Sequence, residues 1–398
     1  MDAAHSTLLI VGAISLLAIL AGVLAGRVGT PALLVFLGLG MLAGEDGPGG
    51  IQFDDFEGTY LAGSLALVVI LVEGGLKTPA TTIRAVFAPA LALASAGVVI
   101  TAGVVGTAAV YLMGVSWPEG LLLGALLAPT DAAAVTTVLR ASGLAIPHKI
   151  AAVLEVESGI NDPVSVVLTV LLVEAVLVPG SVTLGHAAGL LGQEMGLGLA
   201  FGLGGGLVLR EAVRRLRRVD TNLHPVLLLA GALTLFAAAQ MLHGSGFLAV
   251  YVAAVVVAEG AGENKRELEH MFEGFAWIAQ IGLFIMLGLL VTPHDMLPLL
   301  PPCLGLAAVL MFCARPLAAA VSLLPFGFSL RHTAFVGWVG LRGGVPIYLA
   351  MIPVLEHASG GERGFDAAFA IVITSLAVQG WTLAPVARWL KIDRPAPQ

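Results

Sequence analysis

The sequence predicts an all-α polytopic membrane protein of about thirteen spanning helices, and three observations carry that reading. Of its 398 residues, 58% are hydrophobic and only 11% are charged, where soluble domains carry about a quarter charged, and the mean hydropathy is +0.98. Apolar runs of roughly 20 residues, the length that crosses a bilayer core, recur along the whole chain. Threaded alternately through a membrane, those runs leave nearly all lysine and arginine on one side.

The first run, 7–25, follows Asp2 and His5 with no lysine or arginine before it; it lacks the positive region of a secretory signal and reads as a retained span. A short second run, 31–44, and a third, 59–76, flank a loop crowded with Glu45, Asp46, Asp54, Asp55 and Glu57. Next come 85–113 and 119–140, the latter interrupted at its middle by Ala128-Pro129-Thr130-Asp131, and then 149–178. The run 183–208 contains Gly202, Gly204, Gly205 and Gly206, small residues that let membrane helices approach closely. After 224–242, 244–259, 271–291 and 297–324, the run 331–354 is interrupted by Gly340-Leu341-Arg342-Gly343-Gly344-Val345-Pro346. The last is 366–390.

With the N-terminus outside, sixteen of the 19 Lys and Arg fall on one face, assigned cytoplasmic. They are Arg27, Lys77, Arg84, Arg140, Lys149, Arg210, Arg214, Arg215, Arg217, Arg218, Lys265, Arg266, Arg331, Arg388, Lys391 and Arg394. Only Arg363 lies in an opposite connection, and Arg315 and Arg342 lie inside predicted spans. The expected location is the cytoplasmic (inner) membrane, with the C-terminus inside. The odd span count suggests two inverted six-helix repeats around a linking seventh helix. The interruptions in the fifth and twelfth spans, seven apart, mark matched broken helices, a pointer to a transporter's binding site.

Ionisable groups at bilayer depth cost several kcal/mol each and are by default functional or paired. Thr130 and Asp131 sit at the first break, and Glu155, Glu157, Ser158, Asn161 and Asp162 fall within eight positions of the sixth span. Helical spacing puts Glu155, Ser158 and Asp162 on one stripe and Glu157 and Asn161 on a neighbouring one. Asp162 lies roughly 20 Å along the helix from Lys149, close to mid-membrane. Desolvation there disfavours a charged carboxylate, so a proton and a cation would compete for it. Hard cations want oxygen, which Asp162, Ser158, Thr130 and carbonyls freed by the break can supply. Two buried arginines against several buried acids imply pairing, since one partner left alone would be strongly destabilising. Glu157 is the natural partner because its stripe is turned from that of Asp162.

The segments Pro129-Thr130-Asp131-Ala-Ala-Ala-Val135, Glu157-Ser158-Gly159-Ile160-Asn161-Asp162-Pro163 and Gly340-Leu341-Arg342-Gly343 resemble the cation/proton antiporter superfamily, in its NhaP-type sodium(potassium)/proton exchanger branch. Three motifs in order, each in its own span, extend the resemblance over nearly the whole chain. The resemblance implies exchange of a monovalent cation (Na+ and/or K+) for H+ by alternating access, electroneutral because Asn161 precedes Asp162. It implies a homodimer, with 7–76 and 224–291 as dimerisation or scaffold helices, 85–178 and 297–390 as a moving core, and 183–208 as the linker. Asp162 would be the ion- and proton-binding carboxylate beside Asn161, with Thr130 and Asp131 in the unwound helix and Ser158 a cation ligand. Glu157 would pair with Arg315, and Arg342 would set the field in the core. Ala132 stands where many branch members have proline, and the wording is closest to the potassium/proton, cell-volume-regulation subgroup. That subgroup usually carries a C-terminal cytoplasmic regulatory domain; a chain ending at Gln398 reads as a short or truncated member.

Other residues have blander readings beside functional ones. Asp131 can cap a half-helix as well as bind an ion, and Thr130 and Ser158 can bond back to a carbonyl one turn earlier. Glu155 and Glu73 are candidates for a cytoplasmic funnel. The arginine run from Arg214 to Arg218 reads as a topology anchor that contacts anionic lipid headgroups. His243, beside Gly244 and Ser245, has no positioned base and does not suggest hydrolysis. With no phosphate-binding loop and no metalloprotease motif, an enzyme is not expected, nor a cofactor beyond the transported ions. The net charge of −7 gives no basic surface for nucleic acid. Cys303 and Cys313 read as packing residues. The alternatives are an uncoupled cation channel and a proton-coupled transporter of a small organic solute.

Overall fold

The structure, a computed structural model, describes residues 2–28, 31–216, 223–262, 265–392 and 394–395. Each of the thirteen apolar runs is helical within those residues. The first three are α1 (Asp2–Val28), α2 (Ala32–Ala43) and α3 (Phe56–Lys77). The fourth run is one continuous helix: α4 (Ala80–Ala92), a π-helical turn (Leu93–Gly97) and α5 (Val98–Met113). The fifth is divided into α6 (Trp117–Leu126) and α7 (Ala132–Ala141). The sixth to ninth are α8 (His148–Leu177), α9 (Leu184–Leu216), α10 (Leu223–Met241) and α11 (Gly246–Gly260). The tenth is α12 (Lys265–Leu289). The eleventh, preceded by α13 (Pro293–Met296), contains α14 (Leu300–Val309), a second π turn (Leu310–Ala314) and α15 (Arg315–Leu323). The twelfth is divided into α16 (Leu330–Trp338) and α17 (Val345–Leu355), and the last is α18 (Gly361–Trp389). Among the described residues, eight helices are long and apolar enough to cross a membrane alone; Arg217 and Arg218 lie outside those residues.

The irregularities recur as two six-helix repeats around a linking helix require. Breaks interrupt the fifth and twelfth segments, and π turns interrupt the fourth and eleventh. A π turn wedges one extra residue into the helix and is frequent at functional sites; neither turn was legible in the sequence. Helix starts follow ordinary capping chemistry. Ser116 and Glu119 form a capping box at α6, and Glu119 also accepts from the Ser359 hydroxyl at 2.9 Å, tying the two repeats together beside the start of α18. Such caps satisfy amide groups that lipid could not.

One large apolar core joins α6, α7, α8, α14, α17 and α18; a smaller one joins α3, α9, α10, α11 and α12 through Val72, Leu209, Leu228, Val257 and Phe272. A two-residue antiparallel pairing, Leu144–Ala145 with Arg394–Pro395, ties the chain beyond α18 to the α7–α8 connection. It adds a minor strand element that an all-helical reading did not contain.

Candidate ion-binding site at the helix crossing

The two breaks meet. The amide of Asp131 donates to the carbonyl of Leu341 at 2.9 Å, so the extended segments of the fifth and twelfth runs are pinned together. The two breaks leave four half-helix ends with unpaired amides or carbonyls, each costly in a membrane interior. Asp131 caps the start of α7, its Oδ1 accepting from the amide of Ala134 at 3.0 Å. Arg342 Nη1 donates to the carbonyls of Ala128 and Pro129 at 2.6 and 2.7 Å, closing the end of α6. Gln379 Nε2 donates to Trp338 O at 2.6 Å, closing the end of α16, while the Ser375 hydroxyl holds its amide oxygen. The start of α17 has no side-chain cap. The residues opening α7 and α17 line one cavity, so both helices turn partial positive charge toward it.

The glycines of Gly340-Leu341-Arg342-Gly343 are explained by contact. A Cβ on Gly340 would lie 2.9 Å from the Arg315 side chain, and one on Gly343 would lie 2.8 Å from Asp131 Cβ. Arg342 is fully buried (0% exposed), and its guanidinium hydrogen bonds go to carbonyls. The expectation that both buried arginines pair with acids therefore holds for one of them. Arg342 instead serves as a cap for broken backbone, which explains how a cation sits there without a carboxylate in contact.

The other arginine pairs with Glu157. Arg315 Nη1 and Nη2 donate to Glu157 Oε1 and Oε2 at 2.7 and 2.9 Å, the two-pronged geometry that makes such pairs strong. Glu157 is 1% exposed. Its Oε1 also accepts from the Thr130 hydroxyl at 3.2 Å, and that hydroxyl accepts from Asn161 Nδ2 at 2.9 Å. Arg315, Glu157, Thr130 and Asn161 are thus one chain linking α15, α8 and the first break. The Thr130 hydroxyl thus donates to Glu157 and accepts from Asn161, which leaves one of its two lone pairs for a cation.

Asp162, Ser158 and Glu155 share the stripe of α8 that faces a cavity of about 380 Å3. Thr130, Asp131 and Gly343 line its closed end, and Lys77, Arg140, Glu155 and Glu273 its mouth. The Asp162 Oδ1 is buried and has no hydrogen-bond partner among the described residues, so an oxygen remains available to a ligand. Glu73 pairs with Lys77, which also stands 3.6 Å from Glu273; Glu73 and Glu155 both line the cavity. Sequence reasoning missed Glu273 and Gln280, funnel residues on α12. Their signal was a charge and an amide within the apolar tenth run. It also missed Ser375 and Gln379, whose signal was a polar pair four apart in the most buried of the long spans.

Two crossed broken helices, with a buried carboxylate at the end of a polar funnel, define a polytopic secondary transporter rather than an enzyme. The sodium/hydrogen exchanger (transmembrane) family pattern matches residues 13–389. The K(+)/H(+) antiporter NhaP of Alkalimonas amylolytica is 42% identical over 395 residues, covering 99% of this chain and 68% of that protein. The Na(+)/H(+) antiporter NhaH of Halobacillus dabanensis is 29% identical over 355 residues, 85% of each. The sodium proton antiporter MjNhaP1 of Methanocaldococcus jannaschii has the same fold, with a TM-score of 0.79 at 21% identity over 96% of this chain and 99% of that one. The chain belongs to the sodium/hydrogen exchanger family.

Proposed function

We propose that this chain exchanges a monovalent cation for a proton at Asp162, one for one, across the cytoplasmic membrane. The observation that carries the assignment is the unpartnered Asp162 oxygen at the closed end of the funnel. A carboxylate there holds either a proton or a cation, and an empty, charged carboxylate is disfavoured by desolvation. Exclusive occupancy is what couples the two fluxes. Ser158, the neighbouring hydroxyl on the same stripe, supplies a second oxygen. Backbone carbonyls at the first break supply others.

Greater identity to relatives named for potassium than to one named for sodium supports K+ as the preferred cation. Glu157, Arg315, Thr130, Asn161 and Arg342 hold the crossing rigid while the carboxylate changes occupant. The core helices would carry the site past the scaffold, which would be a homodimer. A lysine- and arginine-rich face toward the cytoplasm supports an inward-opening funnel. The test is dye-reported collapse of a proton gradient in everted vesicles on adding KCl or NaCl. Wild type should respond and Asp162→Ala should not.

A further inference from the structure

A second cavity, of about 670 Å3, lies at the opposite end of α3, between the start of α3 and the end of α10. Asp55, Glu57, Tyr60, Leu61 and Ser64 line it from the first helix and Phe236 and Gln240 from the other. The inner funnel begins on the same helix at Leu67, less than one turn beyond Ser64. Beside this stretch of α3 the Tyr348 hydroxyl meets the Ser64 hydroxyl at 2.8 Å, and the Tyr348 ring stacks on Tyr60 at 4.7 Å between centroids, 13° from parallel. Phe247 meets Tyr348 edge-on at 6.0 Å and Phe236 at 5.0 Å. Gly63 leaves room for this: a Cβ there would lie 2.9 Å from the Tyr348 ring.

We propose that the outer cavity is the external mouth of the cation path and that the Tyr348–Ser64–Tyr60 cluster is its closed barrier. The inference rests on the proposed exchange at Asp162. Tyr348 belongs to α17, the half-helix whose start lines the inner funnel, whereas Ser64 and Tyr60 belong to α3. Displacing α17 relative to α3 separates the hydroxyls and the stacked rings together. It would replace an aromatic plug with a path bearing three hydroxyl groups, an environment suited to a partly hydrated monovalent cation. Asp55 and Glu57 at the rim concentrate cations by their field, an effect that salt screens. Asp55 spends one oxygen capping α3, accepting from Gly58 at 2.8 Å.

The test uses the full chain with Cys303→Ala and Cys313→Ala, plus Gln240→Cys, in right-side-out vesicles. A membrane-impermeant trimethylammonium thiol reagent is added outside, and each preparation is compared with itself before the reagent. Exchange should fall severalfold only where Gln240→Cys is present. In parallel, Glu57→Gln should raise the KM for external cation at low ionic strength and leave the internal KM unchanged, the difference vanishing in high salt. Tyr348→Phe should shift external and internal KM in opposite directions, because it frees the barrier while keeping the ring. Modification that leaves exchange intact, with no sided KM change in Glu57→Gln, overturns the proposal even where Asp162→Ala is inactive. Exchange persisting in Asp162→Ala instead defeats the reading on which the proposal rests.

Discussion

Arg315→Ala isolates the scaffold from the chemistry. The substitution removes both donors to Glu157 and leaves a carboxylate that is 1% exposed. Breaking a buried pair from one side costs about 3–5 kcal/mol, because an uncompensated charge remains in a low-dielectric interior. With an unfolding entropy of roughly 2 cal/mol/K per residue, a chain of this length should melt about 4–6 °C lower. The double variant Glu157→Leu/Arg315→Met removes both charges and should recover much of that loss, since apolar replacement of a whole pair is near neutral. It still orphans the Thr130 hydroxyl, so recovery should be incomplete. The assay is thermal unfolding in detergent followed by size exclusion, with exchange measured in vesicles from the same preparations. An Arg315→Ala protein that melts like wild type yet has no exchange would refute the scaffold role and place Arg315 in the transport chemistry.

Three further outcomes follow from the same geometry. Gly343→Ala inserts a methyl against the Asp131 side chain; overpacking of this kind costs about 1–3 kcal/mol, and exchange should fall because the α7 cap is displaced, whereas Gly274→Ala, with open space around it, should be neutral in both assays. Gln379→Leu strips the hydrogen bond from Trp338 O and should lower stability by about 1–3 kcal/mol, read as a lower melting temperature. Because proton and cation share Asp162, the apparent KM for the cation should rise as pH falls, with the maximal rate recoverable at high salt; a KM independent of pH would separate the two binding sites.

The membrane spans and their breaks were legible because both are local properties: an apolar run announces a helix, and glycine, proline and charge at mid-run announce its interruption. The stripes of α8 were legible for the same reason, since helical spacing alone sets Asp162 beside Ser158 and apart from Glu157. The partners were not. Whether Arg342 meets a carboxylate or the carbonyls of Ala128 and Pro129 depends on how two distant breaks cross. The π turns at Leu93–Gly97 and Leu310–Ala314 were not legible as such, although Pro89 and Pro316, which lack the amide a regular helix would use, stand beside them. The Tyr348–Ser64 contact joins positions 284 apart in sequence, in segments whose tyrosine and serine look ordinary within their own runs.

Proton and cation exchange at Asp162 is tested most directly by its removal. Purified wild type and Asp162→Ala, brought to equal amounts and matched melting temperature in proteoliposomes holding an imposed proton gradient, should be compared on adding KCl and then NaCl. At least one salt should collapse the gradient with wild type, and neither should with Asp162→Ala at any pH. Salt-dependent proton release through a folded Asp162→Ala protein would contradict exchange at this carboxylate.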